Sequence, residues 1–201
     1  DADAGFKSIT FKPVAESATR VSAIQAGDAQ IMWSVPTESV DTLKGDSNVS
    51  VGMGDSITVW YFFMNTQKAP FNDVKVREAM AYAINKEAYI QVVMNGYGSV
   101  ATSMVGEAVQ HYKGNDPYSY DPEASVEELK ADGWVYNADG SDYVDGSGEI
   151  RYKKVTPVEA GTYAHNVTLA DGTILMPLII EWASSENNPA SELMSGSSVH
   201  S

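Results

Sequence analysis

The 201 residues carry 27 acidic and 13 basic side chains, a formal charge of −14, and 43% of them are hydrophobic. That composition excludes a disordered chain, and a field of that sign repels nucleic acid and anionic lipid headgroups. There is no cysteine, which excludes disulfides, iron–sulfur clusters and thiolate zinc sites.

The length suffices for one core, or one core with an appendage. No apolar run approaches the roughly 20 residues that span a bilayer. The opening DADAGFKS lacks the basic and apolar regions of a secretory leader, so either a leader has been removed or the natural start lies elsewhere. Residues 9–14 alternate as a strand does. Ser17 or Thr19 is placed to cap the helix that follows, with Ala18, Val21 and Ile24 facing inward and Gly27 ending it. Residues 31–35 read as a second strand, 38–43 as a short helix after Pro36-Thr37, and 49–51 as another strand. TVWYFFM at 58–64 is a continuous apolar run, the mark of a strand buried on both faces. Strands alternating with helices in this way predict an α/β layer structure.

The chain is organised around PFNDVKVREAMAYAINKEAYIQVVMNGYG, from Pro70 to Gly98. Asn72 or Asp73 can cap its first helix, in which Val76, Met80, Ala83 and Ile84 recur at helical spacing. Asn85 opens a second helix with Ala88, Tyr89, Val92 and Val93 on one face, and Gly96 stands where a helix end needs positive φ. Further on, Tyr120-Asp121-Pro122-Glu123 opens a helix with proline in its first turn and Val126 and Leu129 on its buried side. Asp139-Gly140, Asp145-Gly146 and Asp171-Gly172 are hairpin turn signals. They predict two β-hairpins, the first flanked by Tyr143 and a strand at 150–155, the second within 161–176. PLIIEW at 177–182 reads as one more buried strand, 183–188 as a polar loop, and 189–194 as the beginning of a helix.

Asn65, Pro70-Phe71-Asn72-Asp73, Val76-Arg77, Ala79 and Ala83-Ile84-Asn85-Lys86, in that order, resemble the family 5 extracellular solute-binding proteins. These are the oligopeptide, dipeptide and nickel receptors of ABC importers. Lys75 replaces the family's first arginine, and Asn85-Lys86 its Asp-Arg. ATRVSAIQAGDAQIMWSVP is similar to the family's helix, G-E-I-D strand and V-P element, with Ala29-Gln30 where Ile-Asp is usual. Tyr120-Asp121-Pro122-Glu123 and Ala131-Asp132-Gly133-Trp134 are similar to its Y-D-P-E and A-G-W.

The resemblance implies an α/β, periplasmic-binding-protein-like lobe, a mixed sheet flanked by helices, plus the two hairpins. Residues 1–194 form that single lobe and 195–201 a tail or linker. The implied function is the substrate-binding component of an ABC importer, as one excised lobe that binds oligopeptides in an inter-lobe cleft by hinge closure. Its partners are then a peptide or other small solute, a permease in the membrane and a second lobe of the same receptor. Its location is extracytoplasmic, in the periplasm or at the cell surface, with lipid anchoring of a longer form left open.

By the same resemblance, cleft contacts come from three places. One is the turn entering the first helix, Glu16-Ser17; another is the loop after the second strand, Trp33-Ser34. The third is the strand end at Trp182 with the loop beyond it, Ser184, Glu186 and Asn187. A peptide needs carboxylates for its amine and amides or hydroxyls for its backbone, so Glu16 and Glu186 are assigned to ammonium pairing. Ordinary helix capping and loop solvation explain the same residues. Trp33 and Trp182 lie at strand ends beside polar loops, where open α/β sheets bind ligands; Trp60, Tyr61 and Phe62 read as packing.

Nothing in the sequence assembles a catalytic or metal site. There is no G-x-S-x-G elbow and no thiol, and Gly52-Met53-Gly54 lacks the glycine and lysine of a phosphate loop. His111, His165 and His200 are isolated in sequence. Read as a calcium loop from Asn137, the acidic run puts Asp142 at the required glycine and Gly148 at the closing glutamate. No enzyme activity, cofactor or metal is therefore expected. The competing function is a stand-alone extracellular protein-interaction module that presents an exposed apolar face.

Overall fold

Three helices start where a side chain satisfies amides that the helix leaves orphaned. Asp73 accepts the Lys75 amide at 2.9 Å and begins α3 (Val74–Ala83). Asn85 accepts the Ala88 amide at 2.8 Å and begins α4 (Lys86–Val92), so the two helices break where the sequence indicates. Asp121 accepts the Ala124 amide at 2.9 Å and begins α5 (Pro122–Ala131), with Pro122 in its first turn. The computed structural model describes residues 5–115 and 118–181.

Helix α3 packs on α5, and α5 leads through Gly133, at φ 92°, into the sheet. That sheet has four antiparallel strands in the order β1-β2-β4-β3: β1 (Trp134–Tyr136), β2 (Tyr152–Val155), β3 (Val167–Thr168) and β4 (Ile174–Pro177). Tyr152 pairs with Pro177 and Val155 with Ile174, while Val167 faces Leu175. Val76, Ala79, Leu129, Trp134 and Met176 form one buried cluster between helices and sheet. Trp134 is 1% exposed and Leu175 fully buried.

Both hairpins form at their Asp-Gly turns. Asp171 accepts the Thr173 amide and Gly172, at φ 86°, closes β3 onto β4. Asn137 donates to the Ser141 carbonyl around Gly140, and Tyr143 donates back to Val135. The chain then turns again at Gly146 before entering β2. One element was not anticipated. Thr156 and Glu159 make a reciprocal capping box with Pro157 at the first position, and α6 (Pro157–Ala160) follows. The signal, T-P-V-E, was present in the sequence.

Residues 5–64 depart from expectation. Glu16, not Ser17 or Thr19, caps α1 (Ser17–Ala26), because its longer side chain reaches the amides of both Ala18 and Thr19. Gly27 ends α1 at φ 80°, but no α1 residue is buried, so Ala18, Val21 and Ile24 do not reach the core. The short helix of 38–43 is a 3-10 turn, Thr37–Ser39, running into α2 (Val40–Lys44), whose Val40 and Leu43 are buried.

Residues 9–14, 31–35, 49–51 and 58–64 form no strand. A strand needs a partner to complete its ladder, and none of the four segments finds one among the described residues. The 58–64 run is not buried on both faces: Trp60 is 59% exposed and Phe63 84%. Of PLIIEW only Pro177 belongs to a strand. Leu178 still donates to the Arg151 carbonyl at 2.8 Å, while Trp182, the loop 183–188 and the helix at 189–194 lie outside the described residues.

Candidate functional site

At the entry to α1 the Glu16 carboxylate accepts the Thr19 hydroxyl at 2.8 Å and the Thr19 amide at 2.9 Å, both on Oε2. Its Oε1 accepts the Ala18 amide at 3.3 Å. These bonds, led by the Thr19 hydroxyl, hold the carboxyl below its ordinary range. A carboxylate offers about four acceptor positions; three are used here, and one on Oε1 stays open to a donor. Ser17 is the first residue of the helix. Arg20 folds the incoming chain back by donating to the carbonyls of Val14 at 2.9 Å and Ala15 at 2.8 Å.

Trp33 and Ser34 occupy the loop beyond α1. Trp33 is 90% exposed, and Ser34 takes the left-handed backbone, φ 61°. Glu16 thus adjoins Ser17, and Trp33 adjoins Ser34; the two pairs share no hydrogen bond. The other four candidates, Trp182, Ser184, Glu186 and Asn187, lie outside the described residues.

A second constellation was invisible to sequence reasoning. Lys153 Nζ on β2 reaches Asp132 Oδ2 at 2.6 Å and Asp73 Oδ2 at 3.0 Å. The Trp134 indole N–H also donates to Asp132 Oδ2, at 3.0 Å. Burial pushes the Asp132 carboxyl up and the nearby Asp73 carboxylate adds to it, against the pull of Lys153. Burial opposes ionisation of Asp73 as well, but hydrogen bonds from Asp132, the Lys75 amide and Lys153 bring it below its usual value. Burial likewise disfavours the Lys153 ammonium; the two aspartates outweigh it and raise that pKa. A cavity of about 150 Å³ adjoins the cluster, lined by Pro70, Asn72, Asp73, Lys153, Val155, Glu159 and Met176. The Lys153 ammonium is neutralised by the two aspartates. The cluster clamps the start of α3 and the end of α5 to the sheet.

A larger open groove, about 470 Å³, lies beside the first hairpin between Asn137, Asp139, Val144, Glu149, Ile150 and Tyr152. Just before β2, Arg151 is bound to Asp145 at 2.6 Å and its guanidinium carbon lies 4.1 Å from the Tyr143 ring centroid. Among the described residues no three His, Asp or Glu side chains come together as metal ligands.

A four-stranded antiparallel sheet packed with α3 and α5 is a fold that this chain shares with solved periplasmic binding proteins. The chain belongs to the bacterial extracellular solute-binding proteins, family 5, whose middle region matches residues 2–171. The glutathione-binding protein GsiB of Escherichia coli K12 is 37% identical over 127 residues, 63% of this chain and 25% of that protein.

Among solved structures, the ABC transporter-associated periplasmic binding protein DppA from Helicobacter pylori, in complex with the peptide STSA, is similar with a TM-score of 0.56. Its identity is 29%, over 62% of this chain and 24% of that one. The oligopeptide-binding protein AppA from Bacillus subtilis, in complex with a nonapeptide, shares the fold at a TM-score of 0.55 and 22% identity, over 70% of this chain and 27% of that one. The chain spans about a quarter of the length of these relatives. No helix among the described residues is long and apolar enough to cross a membrane.

Proposed function

We propose that the chain is one lobe of the substrate-binding component of an ABC importer, that it takes oligopeptides, and that it is not an enzyme. The observation that carries this reading is the family match over residues 2–171, with the motif region folded as α3 and α4. Relatives whose names specify a peptide or glutathione support the substrate class. A second lobe of the same receptor supplies the facing wall of the cleft, and hinge closure around the peptide presents a surface to a membrane permease. The protein works outside the cytoplasm. Glu16 pairs with the peptide ammonium through its open acceptor position, Trp33 stacks on a side chain, and Ser17 and Ser34 bond the peptide backbone. Trp182, Ser184, Glu186 and Asn187 extend the same wall.

One wall contributes only part of the contacts, while the cost of immobilising a peptide is incurred in full. Calorimetric titration of the 201-residue chain with tri- and tetrapeptides is therefore expected to give no saturable heat at micromolar concentrations. Saturable micromolar binding by this chain alone would overturn the single-lobe reading.

A further inference from the structure

The triplet Asn-x-Ser/Thr, with x not proline, occurs twice in the sequence, as Asn48-Val49-Ser50 and as Asn166-Val167-Thr168. It is the acceptor pattern for N-linked glycan transfer in secreted proteins, and it is used where it lies on an accessible surface loop. The fold gives the two copies opposite surroundings. Asn48 lies in the turn that leaves α2, whose Leu43 is buried. The Asp46 amide donates to the Leu43 carbonyl at 3.2 Å, and Asp46 holds the turn in two ways: its Oδ1 accepts the Asn48 amide at 2.9 Å and its carbonyl the Val49 amide at 3.1 Å. These bonds engage only the main chain of the triplet. Asn48 and Ser50 are exposed, and neither side chain has a hydrogen-bond partner among the described residues.

Beyond the triplet the backbone runs in open space: a Cβ built on Gly52 or Gly54 would meet nothing within 4 Å. Residues 49–51 join no ladder among the described residues, so an enzyme can take up this stretch without opening a sheet. Asn166 is held on every side. Its Nδ2 donates to the Ala160 carbonyl at 2.9 Å and its Oδ1 is buried. Val167 and Thr168 pair with Leu175 and Ile174 in the β3–β4 ladder. Reaching the Asn166 amide nitrogen means breaking that hydrogen bond and unzipping the hairpin.

We propose that Asn48 is an N-glycosylation site of the folded chain, accepting an oligosaccharide from a polyprenyl-diphosphate donor, and that the fold withholds Asn166 from the same reaction. In the transfer Asn48 Nδ2 forms a bond to the anomeric carbon of the first sugar. The bond from that carbon to the diphosphate oxygen breaks, and the polyprenyl diphosphate leaves with the electron pair. One amide proton passes to a base of the transferase, and nothing is oxidised or reduced. The Ser50 hydroxyl is the group by which the asparagine is selected. The proposal rests on the receptor reading only for a location outside the cytoplasm, and it takes nothing from the solute.

Enzymatic transfer to the purified 201-residue chain tests it. The donor is a polyprenyl-diphosphate oligosaccharide, and the enzyme is an oligosaccharyltransferase of the bacterial class that also requires an acidic residue two places before the asparagine. Asp46 meets that requirement for Asn48, and Ala164 fails it for Asn166. The intact mass is expected to rise by one oligosaccharide, mapped to Asn48. Asn48→Gln and Ser50→Ala each lose the addition entirely, with far-ultraviolet circular dichroism unchanged because both residues are exposed. Ala164→Asp supplies the second triplet with its acidic residue, so that only the fold then protects Asn166. The folded Ala164→Asp chain is expected to gain nothing at Asn166, whereas a synthetic peptide of residues 162–170 with the same change is modified. An unmodified Asn48, transfer to Asn166 in the folded Ala164→Asp chain, or a 162–170 peptide left unmodified would each overturn the proposal. None of these results touches peptide binding, so failure here leaves the receptor reading standing.

Discussion

The Lys153 ammonium lies 2.6 Å from the Asp132 carboxylate, and this contact ties the end of α5 to the second strand of the sheet. The same ammonium holds Asp73 at the start of α3, so one side chain fastens the two helices that form the core wall. Removing it leaves two carboxylates facing each other with no cation between them. Lys153→Met is expected to lower stability by about 2 kcal/mol, the scale of a charge-assisted hydrogen bond, read as a urea midpoint shift at constant slope. Lys130 is more exposed and bridges Glu127 and Asp145 at the surface. Lys130→Met is expected to cost clearly less than Lys153→Met, because solvent screens its pairs. Equal losses would show that the Lys153 cluster is only a screened surface pair.

The carboxylates predict the acid limb of stability. Hydrogen bonds from Lys130 and Arg151 hold Asp145 below its ordinary range. The Thr173 amide does so for Asp171, and the Thr156 amide and hydroxyl for Glu159. A lowered group binds its proton more readily when unfolded, so its stabilisation is present above the unfolded value and is lost as pH falls through the folded one. Asp132 is raised, chiefly by burial, so its ionisation works against folding as pH rises through its range. From neutrality downward the urea midpoint is expected to hold or rise slightly to about pH 5, then fall below about pH 4. Asp132→Asn removes the rise and keeps the fall. A midpoint already falling at pH 6 would contradict this assignment.

These two cases show which features a sequence can carry. Caps, breaks and tight turns are decided by a few adjacent residues, so the α3–α4 break at Asn85, the Pro122 start of α5 and the Asp171-Gly172 turn were legible. The α6 capping box was equally local and was overlooked. The four N-terminal segments read as strands have strand-like composition, but a ladder also requires a partner, and composition does not supply one. Lys153, Asp73 and Asp132 stand up to 80 residues apart in sequence, and only packing brings them together. Of the candidate cleft residues, Glu16 was legible as acidic and near a helix start. Helix capping stood beside ammonium pairing as an explanation of Glu16, although the cap of α1 itself was assigned to the shorter side chains after it.

The two turn glycines separate backbone strain from crowding. Gly172 has φ 86° and nothing within 4 Å of a Cβ built on it, so Gly172→Ala bears only the cost of a left-handed alanine, about 1 kcal/mol. Gly140 has φ 84°, and a Cβ there would lie 2.8 Å from Leu169 Cδ1, because the two hairpin turns touch. Gly140→Ala is expected to cost more than Gly172→Ala by several tenths of a kcal/mol. Adding Leu169→Ala should erase that difference in a double-mutant cycle. If the two glycine variants are equally stable, the turns are not in contact in solution.

Glu16 can be asked to distinguish its two roles. As a cap it needs acceptor oxygen for the amides of Ala18 and Thr19, which an amide side chain supplies in part and alanine does not. As a ligand group it needs negative charge, which both changes remove. Glu16→Ala is therefore expected to destabilise α1, seen as faster amide exchange in residues 17–20, while Glu16→Gln loses less than half of that protection. In a receptor that carries this lobe and binds peptide, both variants should weaken affinity by about tenfold, the scale of one charge-assisted contact. If Glu16→Gln leaves peptide affinity unchanged, Glu16 serves the helix alone and the ammonium is held elsewhere on the wall.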